Sequence, residues 1–135
     1  MIKFGTGGWR AVIADEFTFE NVRRVAKAIA LYACEIGEQD KPIIVGHDLR
    51  FLSGRFSRAF AEVLAYHGIK VWFIEEAVPT PMLMFAVDQE DLALGIMITA
   101  SHNPPEYNGI KVIVKGGKDA PVEVTDRLEE ILRAF

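Results

Sequence analysis

The sequence predicts an α/β domain in three α/β/α layers, with a mostly parallel mixed sheet covered by helices on both faces. Three observations predict it. Short apolar runs rich in β-branched residues recur along the chain, stretches with helical apolar spacing separate them, and glycines or capping residues mark many of the joins. The order strand, helix, strand, helix, strand implies parallel neighbours joined by right-handed crossovers.

Residues 2–4 and 11–13 are short apolar runs flanking Gly5-Thr6-Gly7-Gly8-Trp9-Arg10, and read as two strands joined by a glycine-rich turn. Thr18 is placed to cap a helix, with Glu20 in its first turn, where the helix dipole favours an anion. Val22, Val25, Ala26, Ile29, Ala33 and Ile36 keep helical spacing, and Gly37 suits the end. Ile43-Ile44-Val45 reads as a strand buried on both faces. Ser53 is expected to cap a second helix with Phe56, Phe60, Val63 and Leu64 on one side, closed by Gly68. Val71–Ile74 reads as a second buried strand, a third helix follows Pro81, and residues 93–98 form another strand. Ile110–Val114 adds one more after a polar loop. Thr125 is expected to cap a last helix through Leu128, Ile131 and Leu132. That helix runs to Phe135 without a tail, which suggests a domain cut from a longer protein. Trp9 and Trp72 read as core or rim aromatics.

The chain has 135 residues, half hydrophobic and a quarter charged, which suits one globular domain with a real core. Its net charge of -4 comes with no basic stripe, so nucleic acid is not expected as a partner. No apolar run reaches the ~20 residues of a membrane span, and the N-terminus lacks the apolar region of a signal peptide. A single cysteine, Cys34, allows no internal disulfide; it falls in an apolar helical stretch and reads as core. A cytoplasmic location is the expectation.

Ligands of parallel α/β sheets bind beyond the carboxyl ends of the strands. Just past the 93–98 strand stands Thr99-Ala100-Ser101-His102-Asn103-Pro104-Pro105-Glu106-Tyr107-Asn108-Gly109-Ile110-Lys111, a loop with a hydroxyl, an imidazole, two amides and a lysine. Consecutive prolines stiffen it, and Asn108-Gly109 is expected to make a tight turn with positive φ. Such a loop is suited to holding Ser101 still. Ser, Asn and Pro are turn formers in any case, so Ser101 by itself would pass for a turn residue. His47 and His67 read as structural or surface residues.

The run Ser101-His102-Asn103-Pro104 through Asn108-Gly109-Ile110-Lys111 resembles the phosphoserine loop of the α-D-phosphohexomutases, which include phosphoglucomutases and phosphomannomutases. Three further stretches are similar to that family's motifs, in the family's order. They are Gly5-Thr6-Gly7-Gly8-Trp9-Arg10, Gly46-His47-Asp48-Leu49-Arg50 followed by Ser53-Gly54, and Pro79-Thr80-Pro81. Gly7 stands where many members carry Ser, and Ala11 where many carry Gly. The resemblance covers the whole chain, but only the first of the family's four domains.

The resemblance implies that Ser101 carries the phosphoryl group passed between a hexose monophosphate and the protein. A hexose 1,6-bisphosphate would be the intermediate and activator. Arg10 and Lys111 would clamp phosphate oxygens, and Lys111, or His102 in its place, would carry the hydroxyl proton. Thr6, Gly7, Asn103 and Asn108 would contact substrate or its phosphate, with Asp48 and Arg50 as structural neighbours or an ion pair. The family's Mg2+ is held by the phosphoserine and by aspartates of a second domain, so its remaining ligands are expected outside this chain, together with the other three domains. The chain alone is then expected to be inactive. The loop reads closer to the glucose- and mannose-type mutases than to the glucosamine type. Two other functions remain in view: a serine hydrolase, which the lack of a Gly-x-Ser-x-Gly elbow disfavours, and a free-standing, non-catalytic binding or regulatory module.

Overall fold

A computed structural model describes residues 1–135. Along the chain come β1 Gly8–Val12, α1 Phe19–Glu35, β2 Ile43–His47, α2 Ser53–Tyr66, β3 Val71–Phe73, α3 Thr80–Gln89, β4 Leu94–Ile98, β5 Tyr107–Val114, β6 Lys118–Asp119 and α4 Val122–Arg133. The strands form one sheet in the order β1-β5-β4-β2-β3, with β6 beside β5. β2 is parallel to β3 and β4, whereas β5 is antiparallel to β1, β4 and β6. All strands but β5 therefore share one direction, and the sheet is mixed and mostly parallel, as predicted. No helix is long and apolar enough to cross a membrane.

Helices cover both faces unequally. A core of 26 buried residues joins α1, α2 and α4 to one face, with Phe60, Val45, Ile96, Ile110 and Leu128 among its members. On the other face α3 supplies only Leu83 and Val87 to a core of six. β2 and β4 lie between these layers and are buried at every position, which explains the apolar stretches Ile43–Val45 and Leu94–Ile98.

Side chains alternate across the strands. Trp9 and Ala11 of β1 and Ile110 and Val112 of β5 enter the larger core, while Ile113 enters the smaller. Trp9 stacks on Phe17, which meets Phe56 edge-on, with centroids 4.9 and 4.8 Å apart. This aromatic column pins β1 to α2 and turns the neighbouring Arg10 to the opposite face.

Several local expectations are corrected. Residues 2–4 form no strand: the Phe4 N–H donates to Glu129 of α4 at 2.7 Å, and the chain joins the sheet only at Gly8, so Trp9 and Arg10 are strand residues. Val71–Phe73 is an edge strand, partly exposed, with no neighbour on its far side. Ser53 does not cap α2; Leu52 holds that position with a left-handed φ of 62°, and the Ser53 hydroxyl is used elsewhere. Thr125 lies buried inside α4, which already starts after Pro121. Cys34 is exposed, because it projects from the outer side of α1. The cap at Thr18 is as predicted, its hydroxyl accepting from the Asn21 N–H at 3.1 Å.

Candidate functional site

The site grows from the end of β4. After Ile98 the pairing with β5 continues for one bond, Thr99 N–H to Gly109 carbonyl at 2.9 Å, and Ala100 is still fully buried. Ser101 then leaves the sheet exposed, with φ at 55°. A left-handed backbone at a non-glycine residue costs of order 1–3 kcal/mol and persists where surrounding contacts over-determine it.

Those contacts come from the loop between β2 and α2. The Arg50 guanidinium donates through Nη2 to the carbonyls of Ser101 and Asn103 at 2.8 and 2.6 Å, and through Nη1 to those of Pro104 and Tyr107 at 2.9 and 3.1 Å. Asp48 sits beneath: Oδ1 accepts from the Arg50 N–H at 2.9 Å and the Ser53 hydroxyl at 2.8 Å, and Oδ2 accepts from the Thr99 hydroxyl at 2.6 Å. Thr99 Oγ1 in turn accepts from the Ser101 N–H at 3.1 Å. Asp48 and Arg50 do approach as an ion pair, at 3.7 Å from Oδ2 to Nε. Their hydrogen bonds to the loop are the shorter contacts.

Asn108 is placed as an anchor behind the loop. It is fully buried; its Nδ2 donates to Ser53 Oγ at 2.9 Å and to the Phe51 carbonyl at 3.3 Å, and its Oδ1 accepts from the Gly109 N–H at 2.8 Å. Nor do Asn108 and Gly109 form a turn, since both lie in β5 and neither has positive φ. Glycine is required at 109 for space. A Cβ there would sit 2.6 Å from the Trp9 carbonyl oxygen and 2.7 Å from that of Thr99.

Arg10, Ser101, His102, Asn103 and Pro104 line one open cleft of about 420 Å³. No carboxylate pairs with Arg10 there, so its charge is available to an anion, and the imidazole of His102 is exposed beside it. Lys111 lies on the same face of the sheet as Arg10, two residues further along β5 from Gly109, which is opposite Arg10. Its ammonium is held 3.0 Å from Asp119 Oδ1 and does not line the cleft. Thr6 and Gly7 precede β1 on this Lys111 side, where the Gly7 carbonyl accepts from the Val112 N–H at 2.9 Å. Gly7 has φ of 72° and backs onto Asp119: an added Cβ would lie 3.1 Å from Asp119 Cβ. The structure thus gathers Arg10, Ser101, His102 and Asn103, and sets Lys111 and Gly7 in a second group around Asp119, with Thr6 exposed just before Gly7.

A larger cleft of about 560 Å³ opens on the other side of the loop, lined by Leu49, Ala77, Val78 and Pro105 together with Asp48, Arg50, Pro79 and Asn103. Its charged groups are already engaged with each other and with the loop. His47, 8% exposed, places its ring nitrogens 3.0 and 3.1 Å from the Asp48 and Glu75 carbonyl oxygens, a structural position. No cluster of three or more His, Cys, Asp or Glu side chains is arranged to hold a metal.

Thr99, Ser53 and Asp119 went unassigned to the site by the sequence. Thr99 is adjacent to the strand end, and its position before Ser101 was the available signal; Asp119 carried none.

Comparison with known proteins matches residues 1–134 to the family described as phosphoglucomutase/phosphomannomutase, alpha/beta/alpha domain I. The chain is 39% identical over 142 residues to a phosphoglucomutase of Staphylococcus saprophyticus, spanning all of this chain and 25% of that protein. It is 35% identical over 130 residues to a phosphoglucosamine mutase of Prochlorococcus marinus, covering 96% of this chain and 28% of the relative. With the phosphoribomutase of Saccharomyces cerevisiae it shares 38% over 122 residues, 86% of this chain and 20% of the other. Among solved structures, a protein of Thermus thermophilus described as a phosphomannomutase superposes with a TM-score of 0.91 at 43% identity, over 97% of this chain and 30% of that one. The chain therefore belongs to the phosphoglucomutase/phosphomannomutase family, as its α/β/α domain I.

Proposed function

We propose that this chain is the phosphoserine-bearing domain of a phosphohexomutase, which interconverts hexose 1-phosphate and hexose 6-phosphate through a bisphosphorylated sugar. The observation that carries this is Ser101: an exposed hydroxyl at the end of a buried strand, on a clamped left-handed backbone, in the same cleft as an unpaired arginine.

Phosphoryl transfer asks the protein chiefly for position and for positive charge around the transferred oxygens. In the first half-reaction the free hydroxyl of the sugar monophosphate attacks the phosphorus of phosphorylated Ser101. The new sugar oxygen–phosphorus bond forms as the bond to Ser101 Oγ breaks, and the hydroxyl proton passes to a nearby base. The other phosphate of the bisphosphate then returns to Ser101 by the reverse chemistry. Arg10 compensates the charge on the phosphoryl oxygens. His102, exposed in the cleft, and Lys111, once released from Asp119, are the two proton carriers within this chain.

In this reading Mg2+, when bound, would supply further positive charge at the phosphate. No three His, Cys, Asp or Glu side chains of residues 1–135 are grouped to hold it, so protein ligands for it would have to come from elsewhere. The chain spans about a quarter of the length of the Staphylococcus relative, which supports further domains as partners. The relatives named above differ in the sugar phosphate they are named for.

Three measurements test the reading. Full-length protein incubated with hexose 1,6-bisphosphate is expected to gain one phosphoryl mass on the peptide holding Ser101, and Ser101→Ala is expected to lower turnover at least about a thousandfold. Unchanged turnover in Ser101→Ala would end the proposal. The purified 135-residue chain should not convert hexose 1-phosphate, and conversion by it would show that the missing domains are dispensable.

A further inference from the structure

Arg50 does more than brace the loop. In a trans peptide, the carbonyl of one residue and the N–H of the next point in opposite directions. Arg50 draws the carbonyls of Ser101, Asn103, Pro104 and Tyr107 to one side, at 2.6 to 3.1 Å. The N–H positions that follow must face away from Arg50, and they belong to His102, Pro104, Pro105 and Asn108. Two of these are prolines and carry no N–H. Asn108 lies within β5, opposite Ala11 of β1. One outward donor is left. It is the N–H of His102, which has no acceptor in the chain and belongs to a residue lining the cleft shared by Ser101 and Arg10.

We propose that Arg50 is the positioning residue of the Ser101 loop, and that it aims the His102 backbone N–H at an oxygen of the phosphoryl group on Ser101. The inference rests on Ser101 being the phosphorylated residue. A guanidinium suits this task and an ammonium does not: its planar fork spans several acceptors in fixed directions, where lysine offers a single point charge. Asp48 fixes the fork from below, and through Thr99 it also fixes the N–H of Ser101, so both ends of the Ser101 residue are tied to one carboxylate. The Arg50 charge behind the loop and the Arg10 charge in the cleft then both act on a phosphorylated Ser101. The paired prolines acquire a reason as well. At those two positions an ordinary residue would turn an unused N–H outward, and proline removes it while stiffening the chain.

The test is Arg50→Lys in the full-length protein, which keeps the charge and removes the fork. The rate of phosphoryl loading of Ser101 from hexose 1,6-bisphosphate, and kcat for hexose 1-phosphate, are expected to fall about 100-fold, the scale set by a misplacement near 1 Å. KM should stay within about threefold, because ground-state binding is untouched. A brace without a positioning role would lower activity only as far as it lowers the folded fraction, which thermal unfolding measures alongside. Histidine-selective NMR labelling supplies a second readout. On loading, the His102 amide proton is expected to move downfield in the wild type and to stay in place in Arg50→Lys. Should Arg50→Lys fail to fold, Thr99→Val, which removes the acceptor for the Ser101 N–H, is expected to show the same pattern at about tenfold. Wild-type loading rates in a folded variant, or an unmoved His102 amide in the loaded wild type, overturn the inference while Ser101 remains the phosphorylated residue. If wild-type Ser101 takes no phosphate, the functional reading falls and this inference falls with it.

Discussion

The two faces of β5 are built for different purposes. Toward α1, α2 and α4 it sends Ile110 and Val112 into a core of 26 residues, and the buried Asn108 on that side donates to Ser53, whose hydroxyl donates to Asp48. Toward α3 it presents Gly109, Lys111 and Ile113, beside Arg10 and over a core of six. Anchors sit on the heavily covered face, and cations sit on the thinly covered one. Burial explains the division. Polar anchors hold geometry best where water cannot compete for their hydrogen bonds, whereas a charge meant for a ligand must stay within reach of solvent.

The largest effect expected on this contrast is at Gly109, where the two faces meet the β1 backbone. Gly109→Ala would press a methyl against two carbonyl oxygens at 2.6 and 2.7 Å, and backbone cannot yield as a flexible side chain can. A loss of about 3 kcal/mol in urea unfolding is expected. A loss below about 1 kcal/mol would show that β1 can shift away from β5 at little cost.

A paired substitution sharpens the contrast at a smaller scale. Asn108→Val leaves the Gly109 N–H without its acceptor in the interior, removes the donor to Ser53 Oγ and the Phe51 carbonyl, and is expected to cost about 2 kcal/mol. Lys111→Met, which breaks a half-exposed pair with Asp119, should stay within about 1 kcal/mol. Equal losses would mean that the two faces are energetically alike, and the division drawn above would fail.

The smallest effect belongs to a surface tie on the heavily covered side. Arg127 of α4 holds Glu35 of α1 by hydrogen bonds at 2.6 and 2.8 Å, and the carboxyl is lowered from its ordinary value of 4.5, first by that hydrogen bond and then, against a desolvation that raises it, by the guanidinium charge. A depressed folded value contributes stability that is present above the unfolded value and is lost as the pH falls through the folded one. Stability should therefore decline slightly below about pH 4.5, and Arg127→Ala should remove that part of the decline. Overlapping acid unfolding curves for the two proteins would show the tie to be inert.

Much of the fold was legible because the buried elements announce themselves. β2 and β4 are apolar at nearly every position, and α1 and α2 keep their core faces at helical spacing, so burial could be read directly from residue type. The misread places are those where neighbours decide. Ile2–Phe4 has the composition of a strand, but its Phe4 N–H finds a carboxylate on α4 rather than a strand edge. Val71–Phe73 looks like an inner strand and lies at the rim, because strand order is a property of the whole sheet.

The site divides in the same way. Ser101, His102 and Asn103 follow a strand end and stood out as a cluster of reactive and turn-forming residues, and Arg10 lines the same cleft. Asn108-Gly109 looked like turn chemistry and proved to be strand. One of the pair is buried for its amide, and the other is kept small by two carbonyl oxygens.

By itself the sequence determined the layer architecture and the strand that leads to the Ser101 loop, because periodicity and residue type act locally. Only the tertiary structure decided that Ser101 adopts a left-handed backbone, that Arg50 from a loop some fifty residues earlier gathers four of the loop's carbonyls, and that Lys111 rests on Asp119. Those contacts join segments distant along the chain, and their partners are largely backbone carbonyls, which every residue carries and no residue letter distinguishes.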